Sequence, residues 1–379
     1  MKLFKEKLAW AAPIAVILII ALFSMNLFAQ GDPKVRNLPI AVVVNDEGAQ
    51  VDTVLAALDK LAVGIDGAAP TIAFTVEQEE DLEQLFADKK YYAAFVIPEG
   101  FNTALETVLE TNTAATLEIY VNQGYNMTGS TFAKTALNGF VTQLNTQYAT
   151  TLQTQLGNEQ ITVDQAATLV HPIIAEETVF NPITAATANG SAPTLMAVPA
   201  WVGALIGGFI IFLTSSSIMK KQMLTRKETL RLMLGQVLFG VLIALFSGFT
   251  VATLALLAGI TMPSYLLVAG FVSFAAFCFY LLVTAITAWI GKPAITLFMI
   301  VMLLGMGVLM TPMEMLPDFF VHFIRPWVPL RFASEGLREI FYFGSGFYTG
   351  SSFNTILGIG IAGFIIYFLS IFKPVKAAK

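Results

Sequence analysis

Six stretches of the chain run apolar without the polar breaks of a soluble element, at about residues 8–29, 198–219, 232–258, 265–290, 294–312 and 353–372. Each approaches or exceeds the roughly 20 residues that a helix needs to cross a bilayer core. Between the first and second lies a different pattern. Short β-branched runs, Ile40–Asn45, Thr71–Val76, Tyr92–Pro98 and Ala115–Val121, alternate with helical periodicity over Ala49–Ala62, Glu79–Ala87 and Phe101–Leu109. Continuous apolar runs that stop on turn residues predict strands buried on both faces, and their alternation with helices predicts a mostly parallel sheet with crossover helices. A longer polar helix is expected over Thr128–Leu156, and residues 158–197, rich in Thr, Ala, Asn and Pro, are read as the return path to the membrane.

The predicted fold class is therefore a membrane all-α bundle of six transmembrane helices with an inserted extracellular α/β domain. Residues 1–29 form a cytoplasmic N-terminal segment and first helix, 30–197 the extracellular domain, and 198–379 the membrane domain, with an external helical hairpin over 313–345. The first run follows the basic segment MKLFKEK, as a signal peptide would, but Leu8–Ala29 is too long for such a segment and LFAQ is a poor cleavage site. A retained anchor is expected.

Composition agrees: 56% of the 379 residues are hydrophobic and only 12% charged, about half the charged share of an average soluble domain. Charge then orients the spans. Lys2, Lys5 and Lys7 precede the first; Lys220, Lys221, Arg226, Lys227 and Arg231 crowd the turn after the second; Lys292 follows the fourth, and Lys373, Lys376 and Lys379 follow the sixth. With six crossings all four clusters fall on one side, which the positive-inside rule makes cytoplasmic together with both termini. Of the 26 acidic residues, 20 lie between Asp32 and Glu177, so the net charge of −5 reflects an acidic external domain, not a nucleic-acid partner.

Candidate chemistry is sparse. There is no GxxxxGK[ST] phosphate loop, GxSxG, HExxH or EF-hand pattern, and the two histidines, His171 and His322, lack ligand-like neighbours. No catalytic and no metal-binding residue is expected, and Cys278, alone in an apolar run, forms no disulfide framework. Asn45 and Asp46 stand at a strand's C-terminal end, where open α/β sheets bind ligands. Capping of the helix that begins near Ala49 is the preferred reading. Pro98-Glu99-Gly100 likewise suits a turn into the helix from Phe101.

The cores of the five later spans contain no Asp, Glu, Lys, Arg or His, although ion-coupled carriers keep ionisable groups at that depth. The polar residues there are neutral, among them Thr214, Ser215, Gln236, Thr250 and Thr287, which either join helices by hydrogen bonds or line a pathway for an apolar or amphiphilic cargo. Gly203 and Gly207, four apart, predict close helix packing. The basic turn Lys220–Arg231 reads equally as a positive-inside anchor or as a contact helix for a cytoplasmic motor. Thr311–Gly344 mixes prolines, aromatics and charges; it predicts short helices over Met313–Ile324 and Phe332–Tyr342, hinged at Arg325–Pro329, with Trp327, Phe332 and Tyr342 at headgroup level.

LPIAVVVNDEGA at Leu38–Ala49, YYAAFVIPEGF at Tyr91–Phe101, HPIIAEETVFNPI leading into WVGALIGG at Trp201–Gly208, and PWVPLRFASEGLREIFYFG up to Gly344 occur in the order of the ABC-2 type permeases. The chain resembles their YhgE/Pip-like branch, which carries an external domain after the first helix. That resemblance implies a permease subunit that exports a hydrophobic or amphiphilic substrate across the cell membrane, working with a separate cytoplasmic ATP-binding subunit that would hold ATP and Mg. It further implies a second copy or a paired permease, since six spans make half a transporter. Thr225, Arg226, Lys227, Glu228 and Thr229 would then be the ATPase-coupling element. Glu314, Pro317, Arg325, Pro326, Trp327, Pro329, Arg331 and Arg338 would belong to an external gate. The alternative is a membrane-anchored surface binding or assembly protein without transport activity.

Overall fold

The computed structural model describes residues 35–62, 71–156, 162–221 and 224–373. The first predicted span and its basic N-terminal segment lie outside them. The described chain divides into two compact units, one of residues 34–183 with Pro312–Met315, the other of the remainder from Thr184 onward.

The first unit is a five-stranded mixed sheet in the order β2-β1-β3-β4-β5, formed by β1 (Leu38–Val44), β2 (Ile72–Val76), β3 (Ala93–Ile97), β4 (Ala115–Asn122) and β5 (Ile173–Phe180). β1 pairs parallel with both β2 and β3, and β4 pairs parallel with β5; the β3–β4 pair is antiparallel. Its helices are α1 (Ala49–Ala62), α2 (Leu82–Ala87), α3 (Phe101–Glu106), α4 (Val108–Thr111), α5 (Met127–Leu156) and α6 (Val163–Val170). The apolar runs of β1 and β3 have a direct cause. Ile40, Val42, Phe95 and Ile97 pack on one face against Val51, Val54, Phe101, Leu137 and Phe140, while Ala41, Val43, Ala94 and Val96 pack on the other against Leu82 and Phe86. A strand covered on both faces has no place for polar alternation.

One expectation changes here. Residues 158–197 are not all return path: α6 carries a Thr162–Gln165 capping box, and Ile173–Phe180 is an edge strand. The sheet is mostly parallel, as expected: three of its four strand pairs run parallel, and only the β3–β4 pair is antiparallel.

The second unit contains α7 (Ala192–Lys221), α8 (Arg226–Leu257), α9 (Tyr265–Ile290), α10 (Pro293–Met310), α11 (Pro329–Tyr342) and α12 (Gly350–Leu369). All but α11 have the length and hydropathy of membrane spans. α7 begins six residues before the predicted span. α9 is the central element, buried along most of its length against α7, α8 and α12, whereas α8 and α12 leave long apolar faces exposed. In a bilayer such faces meet acyl chains at no desolvation cost. Small residues set the approach distances. A side chain at Gly203 would meet Ser247, one at Gly207 would meet Ile243, and one at Gly363 would meet the backbone of Leu281 and Leu282. The predicted Gly203/Gly207 packing is therefore the α7–α8 contact.

Candidate functional site

α7 ends at Lys221 and α8 begins at Arg226. Thr225 is the N-cap of α8: its hydroxyl accepts the Glu228 N–H at 3.3 Å, and the Glu228 carboxylate accepts the Thr225 N–H at 2.8 Å. This capping box satisfies two of the donors that a helix start leaves open. Thr229 donates its hydroxyl to the Thr225 carbonyl at 3.1 Å. Thr225 to Thr229 are thus the cap and first turn of a membrane helix, with Arg226 and Lys227 fully outward. Cations at a helix N-terminus oppose the macrodipole by about 0.3–1 kcal/mol each, so helix stability does not explain their placement.

The segment after α10 departs from a two-helix hairpin. Met313–Met315 is a 3₁₀ turn, Phe320–Ile324 is π-helical, Arg325–Trp327 returns to 3₁₀, and α11 starts at Pro329, not at Phe332. Pro317 initiates the π segment by accepting the N–H groups of Phe320 and Val321 at 2.8 and 3.2 Å. Phe320, Ile324 and Val328 point into the core of the unit, and Phe319, Phe323 and Trp327 form an exposed ridge in which the first two rings stack at 5.7 Å. Trp327 donates its indole N–H to the Phe323 carbonyl. π turns of this kind concentrate at functional sites.

α11 is amphipathic, and its apolar face is internal. Leu330, Ala333, Leu337 and Ile340 pack into the main core. Thr194 of α7 and Ser334 share a buried hydrogen bond of 2.7 Å, and a Cβ on Gly336 would touch the Thr349 hydroxyl at 3.0 Å. Tyr342, expected at headgroup level, is buried, because α11 lies against α7 and α12. Trp327 is exposed and Phe332 half-buried.

The outward face of α11 is charged. Arg325 donates to Oε1 of Glu335 at 3.2 Å, and Nε of Arg331 stands 3.6 Å from that same oxygen. The Arg331 guanidinium lies over the Phe332 ring at 4.3 Å. Sequence reading passed over Glu335 as a partner, although its i,i+4 spacing from Arg331 was the available signal. Pro326 is exposed, Pro329 buried and Arg338 half-buried. Glu314 does not join this group. It belongs to the sheet-containing unit, where it accepts the Tyr92 hydroxyl at 2.7 Å and where its carbonyl accepts the Arg36 N–H at 3.0 Å.

The neutral polar residues of the spans do not converge. Thr214 and Thr250 are exposed, and Ser215, Gln236 and Thr287 are buried on three different helices. Thr214 and Thr287 donate to the carbonyls four residues back, at 2.9 and 2.5 Å, which uses the one proton of each hydroxyl. Such back-bonding is the ordinary use of Thr in an apolar helix. The backbone carbonyl of Gln236 accepts the Tyr280 hydroxyl of α9.

At the strand ends of the other unit, Asp46 caps a helix, but not the one that it precedes. Its carboxylate accepts the Asn102 N–H at 2.7 Å at the start of α3, while the Asn102 side chain accepts the Gln50 N–H at 3.0 Å and donates to Glu106. Asn45 donates to Glu79. Gly100, at φ +81, makes the turn after Pro98. The polar atoms that a ligand would need there are engaged with one another. Among the described residues, no group of three His, Cys, Asp or Glu side chains could hold a metal ion.

The chain is similar in part to two known proteins. A stretch of 136 residues is 32% identical to the uncharacterized protein YhgE of Bacillus subtilis (strain 168); it covers 33% of this chain and 17% of that protein, so the chain matches only a small part of its length. A solved domain described as coming from an ABC type-2 transporter of Thermotoga maritima MSB8 aligns at 23% identity over 38% of this chain and 85% of its own, with a TM-score of 0.26. The family model of the ABC-2 family transporter proteins matches residues 10–373. Carrying that match over nearly its whole length, with five apolar span helices and an inserted α/β unit, the chain belongs to the ABC-2 transporter family.

Proposed function

We propose that this permease is the membrane half of an exporter whose energy comes from a separate cytoplasmic ATP-binding protein, and that its cargo is hydrophobic or amphiphilic. The observation that carries this reading is the distribution of charge. The cores of the five described spans hold no Asp, Glu, Lys, Arg or His, the groups on which ion-coupled carriers rely at that depth. Arg226 and Lys227 are exposed on the first turn of α8, which Thr225 caps. In this reading both termini are cytoplasmic, and the Thr225–Thr229 turn is the coupling element. A short cap rigidly continuous with a 32-residue helix transmits a push from a motor along the helix axis without a flexible joint. The segment 316–344 then forms the outer gate, and a second copy or a paired permease completes the pathway.

Affinity purification of the full chain from its native host tests the proposal. A P-loop ATPase should accompany it, and nucleotide hydrolysis by the pair should respond to substitutions at Arg226 and Lys227. Gradient-driven transport by the chain alone in nucleotide-free liposomes would overturn it.

A further inference from the structure

Buried charged groups are hydrogen-bonded as a rule, because stripping water from an ion without replacing its contacts is costly. Arg331 is an exception. Its side chain is 14% exposed, and its Nε–H is buried and donates to no acceptor within hydrogen-bonding distance. The Glu335 oxygen, at 3.6 Å, is too far for one, and that oxygen already accepts from Arg325 at 3.2 Å. A guanidinium offers five N–H donors in a planar fork suited to two oxygens of one anion. Here that fork is held over the Phe332 ring, on a helix whose other face is fixed in the core. Around it the second unit offers apolar surface, including the exposed Phe319, Phe323 and Trp327 ridge that ends two residues after Arg325.

We propose that Arg331, with Arg325 beside it, is the seat of an anionic group carried by an amphiphile, a phosphate or phosphate-like head whose chain runs along apolar surface. The structural alternative is an arginine that only braces α11 through Glu335. It accounts for the ion pair but leaves the buried Nε–H without an acceptor. The inference rests on the proposed amphiphile-exporting function and names the headgroup class of that cargo.

The test is equilibrium lipid binding to the purified full-length chain, read by native mass spectrometry, which needs neither ATPase nor transport. Chain-matched phosphatidylglycerol and phosphatidylcholine are the probes, with inorganic phosphate as competitor. The wild type should favour the anionic lipid at least fivefold. Arg331→Gln should abolish that preference and Arg331→Lys should keep part of it. Arg325→Gln, at the more exposed member of the pair, repeats the comparison in case the Arg331 variant does not fold. Displacement of the lipid by millimolar phosphate would place recognition in the head alone; persistence of the lipid preference against phosphate would assign it to the amphiphile as a whole. Equal binding of both lipids, or an undiminished preference in both Gln variants, overturns the inference. Because the readout is binding, a positive result alongside failed ATPase co-purification would sink the exporter reading and leave the site standing.

Discussion

The Tyr280 hydroxyl donates to the Gln236 backbone carbonyl at 2.8 Å, and the same ring fills the space beside Gly240. One side chain of α9 thus fixes both the height and the spacing of α8. A Cβ at position 240 would collide with the ring. Gly240→Val should destabilise the membrane unit by about 1–3 kcal/mol as an overpacked contact, and Tyr280→Phe by about 1 kcal/mol for the lost hydrogen bond. Combining Gly240→Val with Tyr280→Leu should recover much of the loss. Thermal unfolding in detergent measures all three.

Arg226→Glu with Lys227→Glu should reduce retention of the ATP-binding partner at least tenfold in pull-down, while the protein stays in the membrane. Thr225→Ala acts differently. It removes the cap at a cost of about 0.5–2 kcal/mol and should loosen the turn, seen as faster proteolysis there, with the charges intact. Unchanged retention in the charge-reversal variant would count against a coupling role.

The buried Thr194–Ser334 pair predicts strong non-additivity between single and double variants. Ser334→Ala alone leaves the Thr194 hydroxyl without its partner and should cost about 1–3 kcal/mol. Thr194→Val together with Ser334→Ala removes both polar atoms and should be close to neutral. A double variant as unstable as the sum of the singles would mean that the pair packs by shape alone.

Acid stability of the α/β unit has a specific origin. The Glu77 carboxyl is held below its ordinary value of 4.5, first by the hydrogen bond from Lys90 and then by that from Tyr91. Glu177 is lowered likewise by Lys134 and then Asn138. A depressed carboxyl value stabilises the folded state above the unfolded value, and that contribution disappears as the pH falls through the lower folded one. Stability should therefore be level from pH 7 down to about 5 and fall below the usual carboxylate range near 4. Glu77→Gln with Glu177→Gln should flatten the fall. Both pairs reach the surface, so the effect is small and shrinks further in salt.

Much of this architecture was legible in the sequence, for reasons that also explain the failures. β1 and β3 announced themselves because burial on both faces excludes polar residues. β5 was missed because it is an edge strand whose Glu176, Glu177 and Val179 face solvent, so IIAEETVF shows neither a buried run nor strict alternation. The reversal at β4 has no local signature; direction is set by where α3 and α4 deliver the chain. In the membrane unit, apolar length located the spans. Polar residue type did not locate a pathway, since a Thr that bonds its own helix looks the same in sequence as one that faces a cavity. Glu335 matters through a geometry that only the π segment and α11 create together.

The sheet-containing unit takes Pro312–Met315 into its body, with Tyr92 donating to Glu314. A ribosome delivers those four residues only after α7 to α10 have been made. The unit therefore cannot reach its final form when its own 150-odd residues emerge; until residue 315 is in place, the Tyr92 phenol has no Glu314 to donate to. Its maturation is a late event in biosynthesis, and a fragment cut at residue 183 would carry an unfilled seam where the tetrapeptide belongs.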